Sequence, residues 1–161
     1  MRIQHRLTLS FVVVAGISTL AAGAFLYRAI GRHLTGLAVE ELESKARLVQ
    51  DLLRAETDLS AVADREADRM GVDLSVRVTI VGAGGKVLGD TDLDDDGLAT
   101  IESHADRPEI AAALRTGRGQ VTRYSSTLGE DLLYVARPID PGNPGKGVVR
   151  LAIPLTEVRK A

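Results

Sequence analysis

The sequence contains no cysteine, which excludes disulfides, thiolate zinc sites and cysteine nucleophiles. It also lacks a serine in a nucleophile-elbow phrase and a histidine and carboxylate set with metalloprotease spacing, so an anchored or secreted hydrolase has little support. Neither sign of charge is in large excess: 20 basic and 22 acidic residues give a net charge of −2, which does not indicate nucleic-acid binding. The length of 161 residues suits one domain of ordinary size.

Charge is missing altogether from residues 7–27, LTLSFVVVAGISTLAAGAFLY. As a helix this run would rise about 31 Å, enough to cross the hydrocarbon core of a bilayer. We therefore predict a transmembrane helix over residues 7–30. A cleaved signal peptide is the alternative, because the small residues 22–24 fit a cleavage site. The basic residues on the two sides of the run leave its orientation open.

The next segment predicts a long amphipathic helix. Apolar residues recur at helical spacing in a stripe made of Leu34, Ala38, Leu42, Ala46, Val49 and Leu53. This stripe is either core packed against a sheet or the seam of a homodimer, and near-heptad spacing does not separate the two. A second helix follows, with Asp58 as its N-cap and Gly71 as its end.

The rest of the domain predicts strands and one short helix. Strands are expected at 76–81, 120–125, 131–139 and 147–155, and the glycines at 82–85 turn the first strand into a hairpin. A strand and not a helix follows these glycines, so no nucleotide-binding loop is expected. The phrase ADRPEIAAALRTG predicts a helix with Asp106 as N-cap, Glu109 as its capping-box acid and Gly117 as its end. The fold class is α+β, with one five-stranded antiparallel sheet.

An acidic segment at 90–109 raises the question of a metal site. Asp92, Asp94 and Asp96 fit positions 1, 3 and 5 of a calcium loop, but position 12 is Ser103 and the segment follows a strand. We expect a solvated loop without a metal ion.

The residues around the acidic segment predict a structural tether between loop and helix. It comprises Asp90, Asp92, His104 and Arg107, with Arg107 paired to one of the two carboxylates and His104 packed at the junction.

One face of the sheet is a candidate binding surface. Strand alternation separates the aliphatic residues from a polar set that we expect on the other face: Arg77, Tyr124, Tyr134 and Arg150. Two arginines with two hydroxyl donors suit a small anion. A simply solvated face is the alternative, since antiparallel sheets permit it.

Several phrases resemble a known family. RVTIV, GKVLGDTD, ESHADRPEIAAAL, RYSSTLGEDLLYVARPI and GVVRLAIPLTEV are similar to the input region of phosphate-regulon sensor histidine kinases, and the element order resembles Cache or PAS-like extracytoplasmic sensor domains. The resemblance implies a cytoplasmic N-terminus at 1–6, a sensor domain at 31–154 and the start of an exit helix at 155–161. It also implies a homodimer in the bacterial cytoplasmic membrane.

The expected function is reception of an environmental signal, with a phosphate-linked signal as one candidate. The signal is either a small anion or a partner membrane protein. We expect no cofactor here, because ATP, Mg²⁺ and the response regulator would serve a kinase portion beyond residue 161. The alternatives are the input domain of a chemoreceptor or cyclase, or an anchored binding domain without a kinase.

Overall fold

The computed structural model describes residues 3–125 and 128–158, and the chain divides into two compact units, Met1–Gly36 and Leu37–Ala161. Helix α1 comprises Ile3–Arg54. Residues 159–161, predicted to continue an exit helix, lie outside the described residues.

The N-terminal unit is helical, and the predicted membrane segment at 7–30 falls entirely within α1. Within the described residues, α1 is the one helix long and apolar enough to cross a membrane. Its large apolar side chains are uncovered: Phe11 is 79% exposed and Leu20 is 76% exposed. Apolar surface of this extent is costly in water, so a lipid environment suits this unit.

The second unit contains a five-stranded antiparallel sheet in the order β2-β1-β5-β4-β3. After α1 the elements are α2 (Leu59–Leu74), β1 (Arg77–Val81), β2 (Val87–Asp90), α3 (Asp95–Thr100), α4 (Pro108–Thr116), β3 (Gly119–Ser125), β4 (Glu130–Pro138), β5 (Val148–Pro154) and α5 (Leu155–Val158). The predicted α+β class and five-stranded sheet are confirmed.

Helices α1 and α2 cover one face of this sheet and form the main core with it. Leu42, Ala46, Val49 and Leu53 are each at most 1% exposed and pack with sheet residues such as Leu133. The homodimer-seam interpretation is therefore wrong for Leu42, Ala46 and Val49, because the sheet already covers them.

The two remaining seam positions are not in the fully buried core. Ala38 is partly buried against the same core, and Leu34, in the N-terminal unit, is half-buried.

Helix ends match the sequence predictions in part. Asp58 caps α2 as predicted, because its Oδ1 accepts a hydrogen bond from the backbone N–H of Ala61 at 3.3 Å. The predicted end at Gly71 is wrong: α2 continues to Leu74, and Ser75 forms the left-handed cap with φ 52°. Gly71 instead permits a close approach, because a Cβ there would lie 2.4 Å from the Thr91 hydroxyl oxygen.

The start of α4 also differs from the prediction. Arg107 and not Asp106 occupies the N-cap position, and its side chain makes no capping hydrogen bond. Glu109 does not act as a capping-box acid, since it is fully buried and points toward arginines of the sheet. Gly117 ends the helix in the left-handed conformation, as predicted.

Candidate functional site

A cavity of about 200 Å³ opens on the sheet face opposite α1. Its lining combines side chains from strands β1, β3, β4 and β5 with the segment that leads into α4: Arg77, Ile101, Glu102, His104, Arg107, Arg123, Ser125, Tyr134 and Arg150. Four guanidinium groups therefore border one small space, and Glu102, which is exposed, is the one carboxylate in the lining.

Arg150 lies at the floor of the cavity with 3% of its surface exposed. Its Nη2 donates to the Thr79 hydroxyl at 3.0 Å, and its Nη1 donates to Glu109 Oε1 at 3.4 Å. Its guanidinium carbon lies 5.0 Å from the centre of the Tyr134 ring. Burial lowers the pKa of Arg150 below its usual value, and the Glu109 carboxylate opposes that effect. The contacts hold this cation rigidly in a poorly solvated place.

Arg123, which is half-buried, contacts the same partners as Arg150. Its Nη2 lies 3.5 Å from Glu109 Oε1, and its guanidinium carbon lies 4.4 Å from the centre of the Tyr134 ring. Two guanidinium groups thus share the Glu109 carboxylate, and the Thr79 hydroxyl links Arg150 to the buried carboxylate of Asp90 as well.

Several buried polar atoms of this region lack a hydrogen-bond partner among the described residues. They are Nε of Arg123, Nε of Arg150, Oε2 of Glu109 and Nδ1 of His104. Buried polar atoms in native proteins are normally satisfied, so unpaired donors in the lining of a cavity indicate a place where a ligand or water binds.

Arg77 lies against two carboxylates at the other side of the cavity. Its Nε is 2.9 Å from Asp90 Oδ1 and 3.2 Å from Asp92 Oδ2. Asp90 also accepts a hydrogen bond from the Thr79 hydroxyl at 2.6 Å and is fully buried. Burial raises the pKa of Asp92, and the charge of Arg77 opposes this. The predicted tether therefore forms with Arg77, and the pairing of Arg107 with these carboxylates is wrong.

His104 packs at the loop-to-helix junction, where its backbone N–H donates to the carbonyl of Gly85 at 2.8 Å. The residue is 4% exposed. Burial, followed by the nearby charge of Arg150, lowers the pKa of His104 to about 4. Its ring is consequently neutral at physiological pH and offers one N–H donor.

Tyr124 does not belong to the site, which corrects the predicted polar set. It is 62% exposed and absent from the cavity lining. In the antiparallel pairing of β3 with β4, Val121 lies opposite Tyr134 and shares its face. Strand alternation then places Arg123 on the cavity face and Tyr124 on the other.

The acidic segment has structural partners of its own. Asp94 caps α3, since its Oδ1 accepts a hydrogen bond from the backbone N–H of Gly97 at 2.9 Å. Asp92 is paired with Arg77. Within residues 3–125 and 128–158, no group of three or more His, Asp or Glu side chains is arranged to hold a metal ion.

Two members of the site, Arg123 and Glu109, were not among the predicted site residues. Glu109 shares a helical face with Ile110 and Ala113, both buried. An acid on the apolar face of a short helix is a recognisable sign of a buried ion pair. Arg123 follows Val121 by two positions, so a correct assignment of the β3 faces would have found it.

No protein-family model and no curated protein sequence matches the chain. Several solved structures do match this chain. The ligand-binding domain of the Campylobacter jejuni chemoreceptor Tlp3, in complex with L-valine, matches with a TM-score of 0.61 and 13% identity over 81% of this chain and 58% of that one.

Two further structures have the same architecture. The sensor domain of the Vibrio cholerae histidine kinase DctB matches with a TM-score of 0.62 and 15% identity over 80% of this chain and 54% of that one. The ligand-binding domain of the Pseudomonas aeruginosa chemoreceptor PctC, in complex with GABA, matches with a TM-score of 0.57 and 16% identity over 74% of this chain and 58% of that one. This chain thus spans between half and three fifths of each domain, and its fold is that of the Cache and PAS-like sensor domains.

Proposed function

We propose that the chain is the membrane-anchored, extracytoplasmic sensor domain of a two-component sensor histidine kinase, and that it binds a small anion. The observation that carries the proposal is the cavity lined by Arg77, Arg107, Arg123 and Arg150. Surface arginines normally point into water. Here one of them is almost fully buried and two keep an unpaired Nε, an arrangement that stabilises an anion by charge-assisted hydrogen bonds.

The anchor is the N-terminal part of α1, whose exposed apolar side chains suit the bilayer of the bacterial cytoplasmic membrane. The kinase assignment and the phosphate link rest on the sequence phrases similar to phosphate-regulon kinases. ATP and Mg²⁺ would be bound by a cytoplasmic kinase portion, which would transfer a phosphoryl group to a response regulator.

A homodimer is part of the proposal, with its interface moved to a different side of α1. Leu37, Leu48 and Leu52 are 51%, 52% and 46% exposed. At about 100° per residue these positions lie on one side of α1, which differs from the side of the core residues Leu42 and Ala46. A second copy of the chain would bury this stripe, and ligand binding would shift the packing between the two helices.

A panel of small anions tests the binding function. The full chain, reconstituted in lipid nanodiscs, is heated with inorganic phosphate, succinate, acetate or single amino acids while circular dichroism is recorded. We expect at least one compound to raise the midpoint of unfolding of the wild type and of the variant Arg115→Gln, whose arginine is exposed and outside the cavity. The same compound should leave Arg107→Gln nearly unchanged. If every shift is equal in the two variants, the cavity is not the binding site.

A further inference from the structure

The apolar segment of α1 ends at two arginines. The uncharged residues 7–27 are followed at once by Arg28, and Arg32 lies one helical turn later. Both side chains are exposed, and so is Tyr27, at 77%. Tyrosine is enriched where a transmembrane helix passes the lipid headgroups. Arg32 lies about 8 Å beyond Tyr27 along the helix axis, and the polar layer of a bilayer is about 5–8 Å thick on each side. This order of residues puts both arginines at the level of the lipid phosphates.

These two arginines have no acidic partner. The first acidic residue of the sequence is Glu40. Neither Arg28 nor Arg32 forms an ion pair with any residue that the structure describes. Residues four apart share one face of a helix, where like charges are unfavourable. An anion beside this face would therefore stabilise the pair.

The side chain of Arg32 points back toward Arg28. Its Nε donates a hydrogen bond to the backbone carbonyl oxygen of Arg28 at 3.4 Å, and this bond does not occupy its two Nη groups. The guanidinium is thereby directed toward the apolar segment and toward the other arginine. A phosphate group between the two would accept charge-assisted hydrogen bonds from both, and such bonds are about twice as strong as neutral ones.

Gly31 leaves space beside the two arginines. It follows Arg28 by three positions and precedes Arg32 by one, so it borders the same side of α1. A Cβ at Gly31 would meet no atom within 4 Å. No close contact with the described residues therefore requires a glycine at this position, where alanine would favour the helix. The uncovered backbone allows a bulky headgroup to approach the guanidinium groups.

We propose that Arg28, Gly31 and Arg32 form a binding site for the phosphate group of an anionic phospholipid, such as phosphatidylglycerol. The site depends on the membrane anchor and not on the ligand of the cavity. An anionic lipid fits better than a zwitterionic one, because the ammonium group of a zwitterionic headgroup would bring a third positive charge close to the pair. The bound lipid would fix the depth of the anchor in the bilayer.

Native mass spectrometry of the full chain in a mild detergent measures the binding of single lipids. The protein is titrated with phosphatidylglycerol or with phosphatidylcholine of the same acyl chains. We expect phosphatidylglycerol to bind at least about tenfold more tightly. Arg28→Gln and Arg32→Gln should each weaken its binding by about fivefold, which is the contribution of one basic residue near anionic lipid. The control Arg47→Gln removes an exposed arginine of the second unit and should leave the binding unchanged.

A second pair of variants tests the space beside the arginines without changing the charge. Gly31→Leu fills that space and should reduce the preference for phosphatidylglycerol over phosphatidylcholine. Gly23→Leu is the matched control, because a Cβ at Gly23 also meets no atom within 4 Å and the position faces away from both arginines. This control should keep the full preference.

Four results would overturn the proposal. The first is equal binding of the two lipids by the wild type, and the second is unchanged binding in both Arg28→Gln and Arg32→Gln. The third is an equal loss in Arg47→Gln, which would indicate a general effect of charge. The fourth is displacement of the lipid by an equal concentration of inorganic phosphate, which would indicate a site for a soluble anion. Circular dichroism of each variant verifies that α1 stays helical, as expected for changes at exposed side chains.

Discussion

Arg137 Nη1 lies 3.0 Å from Glu43 Oε2, and this ion pair joins strand β4 to helix α1. The same guanidinium donates from Nε to the side-chain oxygen of Gln50 at 2.9 Å, and Gln50 donates to the carbonyl of Pro138 at 2.6 Å. Strand β4 also carries Tyr134, which lines the cavity on the opposite face of the sheet. One strand therefore lines the cavity on one face of the sheet and contacts helix α1 on the other.

The polar contacts of Arg137 predict a substantial stability effect. Replacing Arg137 with Ala leaves the carboxylate of Glu43, which is 8% exposed, and the side-chain oxygen of Gln50 without their partner. We expect the free energy of unfolding to fall by about 2–3 kcal/mol, measured by chemical denaturation. The control Arg69→Ala removes a solvent-exposed arginine paired with Glu66 and should change the free energy of unfolding much less. Equal losses in both variants would show that the link between β4 and α1 contributes little.

Gly119 holds α4 close to β3 and thereby positions Glu109. A Cβ at Gly119 would lie 1.8 Å from the backbone oxygen of Glu109, so Gly119→Ala forces α4 away from the sheet. We expect a loss of about 3 kcal/mol in stability and weaker anion binding, measured by unfolding and titration. Gly142→Ala is the matched control, because its Cβ would meet only the Asp140 carboxylate at 3.5 Å. A Gly119→Ala protein as stable as the control would contradict the close packing.

His104 predicts a stability loss in mild acid. Its pKa is about 4 in the folded chain, below its usual 6.5, because burial and the charges of Arg150, Arg107 and Arg123 outweigh the opposite effect of Asp90. The unfolded state therefore binds the proton more readily. The contribution of His104 is complete above about pH 6.5 and is lost as pH falls toward 4, on the order of 3 kcal/mol in total. His104→Gln should show a smaller loss over that range in pH-dependent denaturation. Parallel stability curves for the two proteins would contradict the burial of a neutral ring.

The homodimer interface predicts a pattern of cysteine crosslinking in membranes. Because the chain contains no cysteine, single substitutions are unambiguous. Leu48→Cys lies in the exposed apolar stripe and should form a disulfide between two chains readily. Arg47→Cys is exposed as well but lies about a quarter turn around α1, so it should crosslink poorly. Equal crosslinking at both positions would exclude a parallel pairing through this stripe.

Much of the fold could be predicted from local patterns. The β1–β2 hairpin, the consecutive strands β3 to β5 and the Asp58 cap each depend on residues that are close in sequence, whereas the pairing of β1 with β5 does not. The faces of β3 could not be assigned in this way. Its sequence contains few apolar residues, and its faces depend on the pairing of Val121 with Tyr134, a contact between two strands.

Local sequence patterns also could not identify what the α1 stripe packs against. Leu42 and Val49 have the spacing of both a core face and a helical seam, and only the position of the sheet decides between them. Arg77 and Arg107 posed the same difficulty. Each has the charge to pair with Asp90, and the tertiary structure brings Arg77 to that carboxylate.

The most direct test of anion binding in the cavity is to observe the arginine side chains themselves. In the full chain labelled with ¹⁵N-arginine, in nanodiscs, the Nε–H signals of Arg123 and Arg150 can be assigned from single Lys variants and followed by NMR. We predict that both signals shift and saturate as succinate or inorganic phosphate is added, because both Nε atoms are buried and unpaired in the described structure. The signal of exposed Arg115 should stay in place. Unchanged signals from Arg123 and Arg150, or shifts no larger than that of Arg115, would contradict a ligand site in this cavity.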